Sequence, residues 1–216
     1  MKLGIIGGTF NPIHIAHLRI AEEVRDRLGL DRVVFMPAAS PPHKPLAGEL
    51  SFYHRYAMVE LAIADNPAFS VSDLEGKRGG TSYSIHTLLE LGQLHPEDEL
   101  FFIIGSDSFL EIASWYRYAE LFACCNIVVV ERPGGNISDL KAALPAAIAG
   151  EFESHQAGER LTHRSGFSVH YLAGMPLAIS SSAIRELAQG GHSLRYLVPD
   201  AVARYITEQR IYEDVR

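Results

Sequence analysis

Short apolar runs alternate along this chain with longer amphipathic stretches. Runs at 2–7, 32–37, 69–73, 100–105 and 126–131, with a sixth near 168–172, are rich in Val, Ile, Leu and Phe. Glycine, proline or charged residues bound most of them, as expected of strands buried on both faces. Between the runs, helical spacing predicts helices near 15–28, 51–65, 83–93, 117–123, 139–148, 182–189 and 199–208. In the second of these, Tyr56, Val59 and Ile63 share a face. The alternation predicts an α/β fold, a doubly wound parallel sheet with right-handed crossovers and helices on both faces. Ligands of such sheets sit past the carboxyl ends of the strands, at the point where strand order reverses. The least patterned stretches are 37–49, rich in proline, and 150–166, which reads as a surface excursion. No repeat is visible and no linker is long enough to split the chain, so one domain over 1–216 is expected.

Composition narrows the partners. The chain has 216 residues, 47% of them hydrophobic, enough for a full core. A formal net charge of −7 opposes a nucleic-acid partner, which needs a basic face, but not a small anion met by local donors. No apolar run approaches the length of a membrane span, so no membrane partner is expected. No secretory signal is visible at the start. The two cysteines, Cys124 and Cys125, are neighbours. They read as free thiols in a reducing cytoplasm. Monomer and homo-oligomer both stay open.

The densest chemistry lies in the first seventeen residues. The run at 3–6 ends on Gly7 and Gly8, followed by Thr9, Phe10, Asn11, Pro12 and two histidines, His14 and His17. A glycine turn between a strand and a helix start is a phosphate site, because backbone N–H groups point outward there. Asn11 reads as the helix N-cap and Pro12 as its first residue. Three apart, the histidines share a face and can donate to phosphate oxygens. Zinc hydrolases place such histidines four apart beside a glutamate, unlike here. Near the other end, Ser180, Ser181 and Ser182 offer an N-cap and hydroxyls ahead of a helix that Gly190 and Gly191 end. With Arg185 one turn in, this is a second anion site, or simply a capped surface helix.

Other segments sit at strand ends. Lys44, in a loop stiffened by Pro41, Pro42 and Pro45, is a candidate phosphate clamp or a solvated lysine. Residues 77–84, KRGGTSYS, lead into a helix that Ser82 or Ser84 can cap. Gly105 permits close approach, and Asp107 can accept from a ribose hydroxyl. Trp115, the one tryptophan, and Tyr116 suit stacking on a flat ring, or core filling. Arg132 adds a cation at the same edge.

Two of these segments resemble a known superfamily. GGTFNPIHIAH, 7–17, resembles the G-[GS]-[TS]-F-[DN]-P-x-H-x-G-H motif of the nucleotidylyltransferases, with Ala16 in place of a glycine. ISSSAIR, 179–185, is similar to their I-S-S-T-x-[IV]-R segment, with Ser182 for the threonine. Further on, PAASPPHK, RGGTSYS, GSDSF with SWYR, and ERPGG resemble one branch, the bacterial nicotinate-nucleotide adenylyltransferases. Ser84 and His86 replace that branch's usual threonine and acid.

The resemblance implies a Rossmann-like fold of nucleotidylyltransferase type with a small C-terminal helical portion. It implies an enzyme that joins ATP and nicotinate mononucleotide into the deamido dinucleotide, releasing pyrophosphate, with Mg²⁺ accompanying ATP and no protein metal ligand. Relatives that use the amidated nucleotide or phosphopantetheine, and a non-catalytic nucleotide-binding regulator, are the alternatives. It assigns catalysis to His14, His17, Lys44 and Arg185. ATP is expected on Gly7, Gly8, Thr9, Phe10, His14, His17, Gly105, Asp107, Ile179, Ser181, Ser182 and Arg185. The pyridine nucleotide is expected on Thr9, Lys44, Tyr83, Ser84, Asp107, Trp115, Tyr116 and Arg132.

Overall fold

The computed structural model describes residues 1–41, 50–155, 159–174 and 177–212. Its sheet has eight strands in the order β3-β2-β1-β4-β5-β8-β7-β6. These are β1 (Lys2–Gly8), β2 (Arg32–Pro37), β3 (Phe69–Val71), β4 (Glu99–Gly105), β5 (Asn126–Val130), β6 (Phe152–His155), β7 (Arg160–His163) and β8 (Ser168–Leu172). From β3 across to β8 every pairing is parallel, whereas β7 pairs antiparallel with both β8 and β6. The chain leaves β1 in one direction for β2 and β3, then returns to β4 on the other side. The switch point therefore lies between β1 and β4, and their carboxyl ends open a crevice.

The central strands feed both faces. Ile6, Phe101, Ile103, Val128 and Val130 point into one core, and Leu3, Ile5, Phe102, Ile104, Ile127 and Val129 into the other. The first core is closed by α1 (Ile15–Leu28), α2 (Phe52–Ile63), α7 (Ser181–Gln189) and α8 (Asp200–Glu208), which supply Val24, Val59, Ile184 and Val202. The second is closed chiefly by α4 (Ser84–Leu94), through Ile85, Leu88 and Leu91, and by α6 (Tyr118–Leu121). Two short helices, α3 (Leu74–Arg78) and α5 (Ser106–Leu110), lie where the apolar pattern predicts none. At the end of α1, Gly29 takes φ +60, and the Leu30 N–H returns to the Arg25 carbonyl at 2.9 Å. This left-handed stop suits glycine.

Three expectations are corrected. The helix expected over 139–148 is a series of turns. Pro145 has no N–H to continue a helical ladder, and Asp139 Oδ1 accepts from the Lys141 and Ala142 amides at 2.9 and 3.0 Å. Leu140, Leu144 and Ile148 are buried all the same, so the apolar spacing survives without the helix. Segment 150–166 contains the hairpin β6–β7, which makes that edge of the sheet antiparallel. Its exposed positions Glu153, Ser154 and His155 hid the strand pattern. Finally, α1 is capped by His14 rather than Asn11, and Pro12 precedes the helix.

Candidate active site

A cleft of about 770 Å³ opens at the carboxyl ends of β1 and β4. At one end lies the turn after β1. Phe10 takes φ +49 there, a left-handed conformation costly for a bulky residue. Its ring is buried edge-on to His17 and beside Phe35, with centroids 5.1 and 5.9 Å away. A Cβ at Gly8 would stand 3.1 Å from that ring.

His14 and His17 stack, centroids 3.7 Å apart and 25° from parallel. The His14 amide donates to His17 Nδ1 at 3.2 Å, which leaves the proton of a neutral His17 on Nε2. Both rings are held neutral. Burial, helped by the Arg132 charge, pushes His14 down to about 4. Burial first, then His14 and Arg132, puts His17 well below the ordinary histidine range. His17 lines the cleft. His14 is 2% exposed and stands behind it, with Nδ1 lacking a partner among the described residues.

The start of α7 closes this end. Ser180 caps the helix, accepting from the Ala183 amide at 3.2 Å. Ser181 Oγ donates to the Pro12 carbonyl at 2.9 Å, and Arg185 donates to the Asn11 carbonyl at 2.8 Å and to Ser182 Oγ at 3.2 Å. Ser181, Ser182 and Arg185 line the cleft, and so do Gly7, Gly8, Thr9 and Phe10. Ile179 is absent from that lining and packs against the core. Lys44 lies outside the described residues.

Midway, Gly105 leaves room for two side chains. A Cβ there would collide with Asp107 Oδ1 and meet Arg132 Nε at 2.9 Å. Asp107 and Arg132 form a loose pair, 3.9 Å apart. At the far end stand Trp115, Tyr116, Tyr83 and Ser84. Trp115 meets Phe102 edge-on at 6.2 Å, and Tyr83 lies 4.5 Å from Tyr116, which is 49% exposed. Neither Ser82 nor Ser84 caps α4. Tyr83 occupies the N-cap without a side-chain bond, and this leaves first-turn N–H groups for an anion. Ser82 Oγ is drawn elsewhere, accepting from the Ala39 and Ser40 amides at 3.0 and 3.1 Å.

Residues 5–187 match the family described as cytidylyltransferase-like. A relative in Geotalea uraniireducens, named "Probable nicotinate-nucleotide adenylyltransferase", is 68% identical over the whole of both chains. One of the same name in Geobacter metallireducens is 66% identical over 98% of each. The chain belongs to the nicotinate-nucleotide adenylyltransferase family. Among solved structures, the Plasmodium falciparum nicotinic acid mononucleotide adenylyltransferase complexed with NaAD superposes with a TM-score of 0.75. It is 19% identical and matched over 98% of this chain and 97% of its own. That likeness shows a shared fold, in agreement with the Rossmann-like expectation.

This adenylyltransferase-family chain also uses residues that the sequence did not single out. Arg55 on α2 is fully buried, donating to the Thr9 carbonyl at 2.7 Å and the Ala39 carbonyl at 3.5 Å. Its signal was present: Arg55 shares the apolar face of Val59 and Ala62 by helical spacing. Glu75 also lines the cleft. One carboxylate oxygen accepts from Thr87 at 2.6 Å, and the other, buried, has no partner among the described residues. No local pattern marks it.

Proposed function

We propose that the protein transfers the adenylyl group of ATP to nicotinate mononucleotide, giving nicotinate adenine dinucleotide and pyrophosphate in NAD biosynthesis. The observation that carries this reading is one cleft with two dissimilar anion sites. The β1 turn, His17, the start of α7 and Arg185 suit a triphosphate. The uncapped start of α4 beside Trp115 suits a carboxylate on a flat ring. The names borne by relatives at 62–68% identity support it.

An oxygen of the pyridine nucleotide's 5′-phosphate attacks the α-phosphorus in line. The bond to the bridging oxygen breaks, and its electron pair leaves on pyrophosphate. The attacking group is already an anion, so the protein supplies position and charge stabilisation. Neutral His17 donates from Nε2 to the α-phosphate, with His14 holding its ring. Arg185, and Lys44 by its place in the sequence, offset the phosphate charge. Trp115 stacks on the pyridine, the Ser84 and Tyr116 amides take its carboxylate, and Asp107 takes ribose. Mg²⁺ would accompany ATP and would supply charge neutralisation at the phosphates, with no side chain of this protein assigned to it. Two free thiols fit a reducing cytoplasm, and no described helix is long and apolar enough to cross a membrane.

The competing substrate is the amidated nucleotide, whose N–H could be accepted by the unpartnered Glu75 oxygen. Pyrophosphate release with ATP, Mg²⁺ and the acid, the amide or phosphopantetheine tests both. Strong preference for the acid is expected. Equal use of acid and amide overturns the carboxylate site, and no turnover with any of the three overturns the transferase.

A further inference from the structure

In the turn between β1 and α1, several oxygens that could face a bound phosphate are tied back by donors from distant elements. The Thr9 carbonyl is held by Arg55, the Pro12 carbonyl by Ser181 and the Asn11 carbonyl by Arg185. The Asn11 side-chain oxygen is held by the Tyr212 hydroxyl at 2.5 Å, across 201 residues of sequence. Asn11 lines the cleft and Tyr212 does not, so this bond draws Oδ1 away from the cleft. An acceptor oxygen turned toward a polyphosphate would repel it, whereas N–H groups attract it.

We propose that Tyr212 is a positioning residue of the phosphate end, whose hydroxyl keeps the Asn11 side-chain oxygen Oδ1 out of the space that the triphosphate occupies. It acts through Asn11 and touches no substrate. The surroundings suit this task. Ile211 is buried and its amide returns to the Ile206 carbonyl at 2.9 Å, anchoring the segment to α8. Tyr212 itself takes φ +69, a conformation that a large residue adopts only where its surroundings hold it. Burial raises the phenol above its ordinary range, against the opposing charges of Arg185 and Arg55, so the hydroxyl stays a donor.

The inference rests on a triphosphate occupying this end of the cleft. Its test is steady-state kinetics of wild type, Tyr212→Phe, Asn11→Ala and the double variant, with ATP binding followed by calorimetry on all four. Tyr212→Phe keeps the ring and removes only the hydroxyl. Expected is about a tenfold fall in kcat/KM for ATP, with KM for the pyridine nucleotide and the melting temperature near wild type. In the Asn11→Ala background the same substitution should change nothing further, because the oxygen it releases is gone. Wild-type kinetics for Tyr212→Phe would overturn the inference, and so would equal losses for both substrates or a full additional loss in the double variant. If wild type binds ATP but turns nothing over, the adenylyl-transfer reading fails. The ATP affinities of Tyr212→Phe and wild type then decide the positioning role. If Asn11→Ala does not fold, the single variant's split between ATP and pyridine nucleotide decides it.

Discussion

The two ends of the cleft are built by opposite means. At the phosphate end, partly buried long-range bonds hold the β1 turn, through Arg55, Ser181, Arg185 and Tyr212. At the pyridine end, half-exposed rings surround a helix start that carries no cap. A triphosphate is the same in every reaction that uses it, and its charge must be met by donors that do not shift. A flat ring with one polar substituent needs a surface to lie on and a few amides. On the proposed reading, the long-range bonds gather where charge develops, and the uncapped helix start and its rings meet the second substrate.

The largest effect should come from breaking the rigid end. On the proposed reading His17→Ala removes the donor to the α-phosphate and should lower kcat by about 10²–10³-fold with the circular dichroism spectrum unchanged. A rate near wild type would show that His17 only fills space. Next comes the adaptable end. Trp115→Ala should raise KM for the pyridine nucleotide by about tenfold, as loss of one stacked ring does, and leave KM for ATP close to wild type. Equal increases for both substrates would mark Trp115 as packing.

The smallest effect is one of stability and sharpens the contrast in burial. His14 is depressed in the folded state to about 4, and His17 also lies below its ordinary value. An unfolded chain therefore binds more protons than the folded one below about pH 6.5. Stability is complete above that value and falls as pH drops toward about 4, with a slope of up to about 1.4 kcal/mol per pH unit for each such imidazole. Melting temperatures taken from pH 7 to 4.5 should decline, and His14→Asn should flatten the curve. An unchanged slope in His14→Asn would remove His14 as its source.

Local signals carried most of what the sequence told. The glycine pair, the two histidines and the ISSSAIR segment each announce themselves within a few residues, and the parallel core strands are apolar on both faces. What escaped reading depends on contacts across the chain. Ser82 gives up capping α4 because two amides after β2 claim its oxygen. Asn11 does not cap α1 because the helix begins later, with His14 as its N-cap, and its side-chain oxygen goes to Tyr212 instead. At 139–148 the apolar spacing was right and the element wrong, because Pro145 and the Asp139 side chain break the backbone ladder. The β6–β7 hairpin was hidden by lying at a wet edge, where few positions are buried.

Pro12 and the serine that holds its carbonyl are 169 residues apart in sequence. A ribosome adding about 5–20 residues each second takes on the order of ten to thirty seconds to travel between them. For most of that interval the nascent chain carries its glycine turn and both histidines with Arg55 already made but without Ser181, Arg185 and Tyr212. A transcript cut short before α7 would therefore yield a protein with the signature of its family near the amino end and no finished place for a nucleotide to bind.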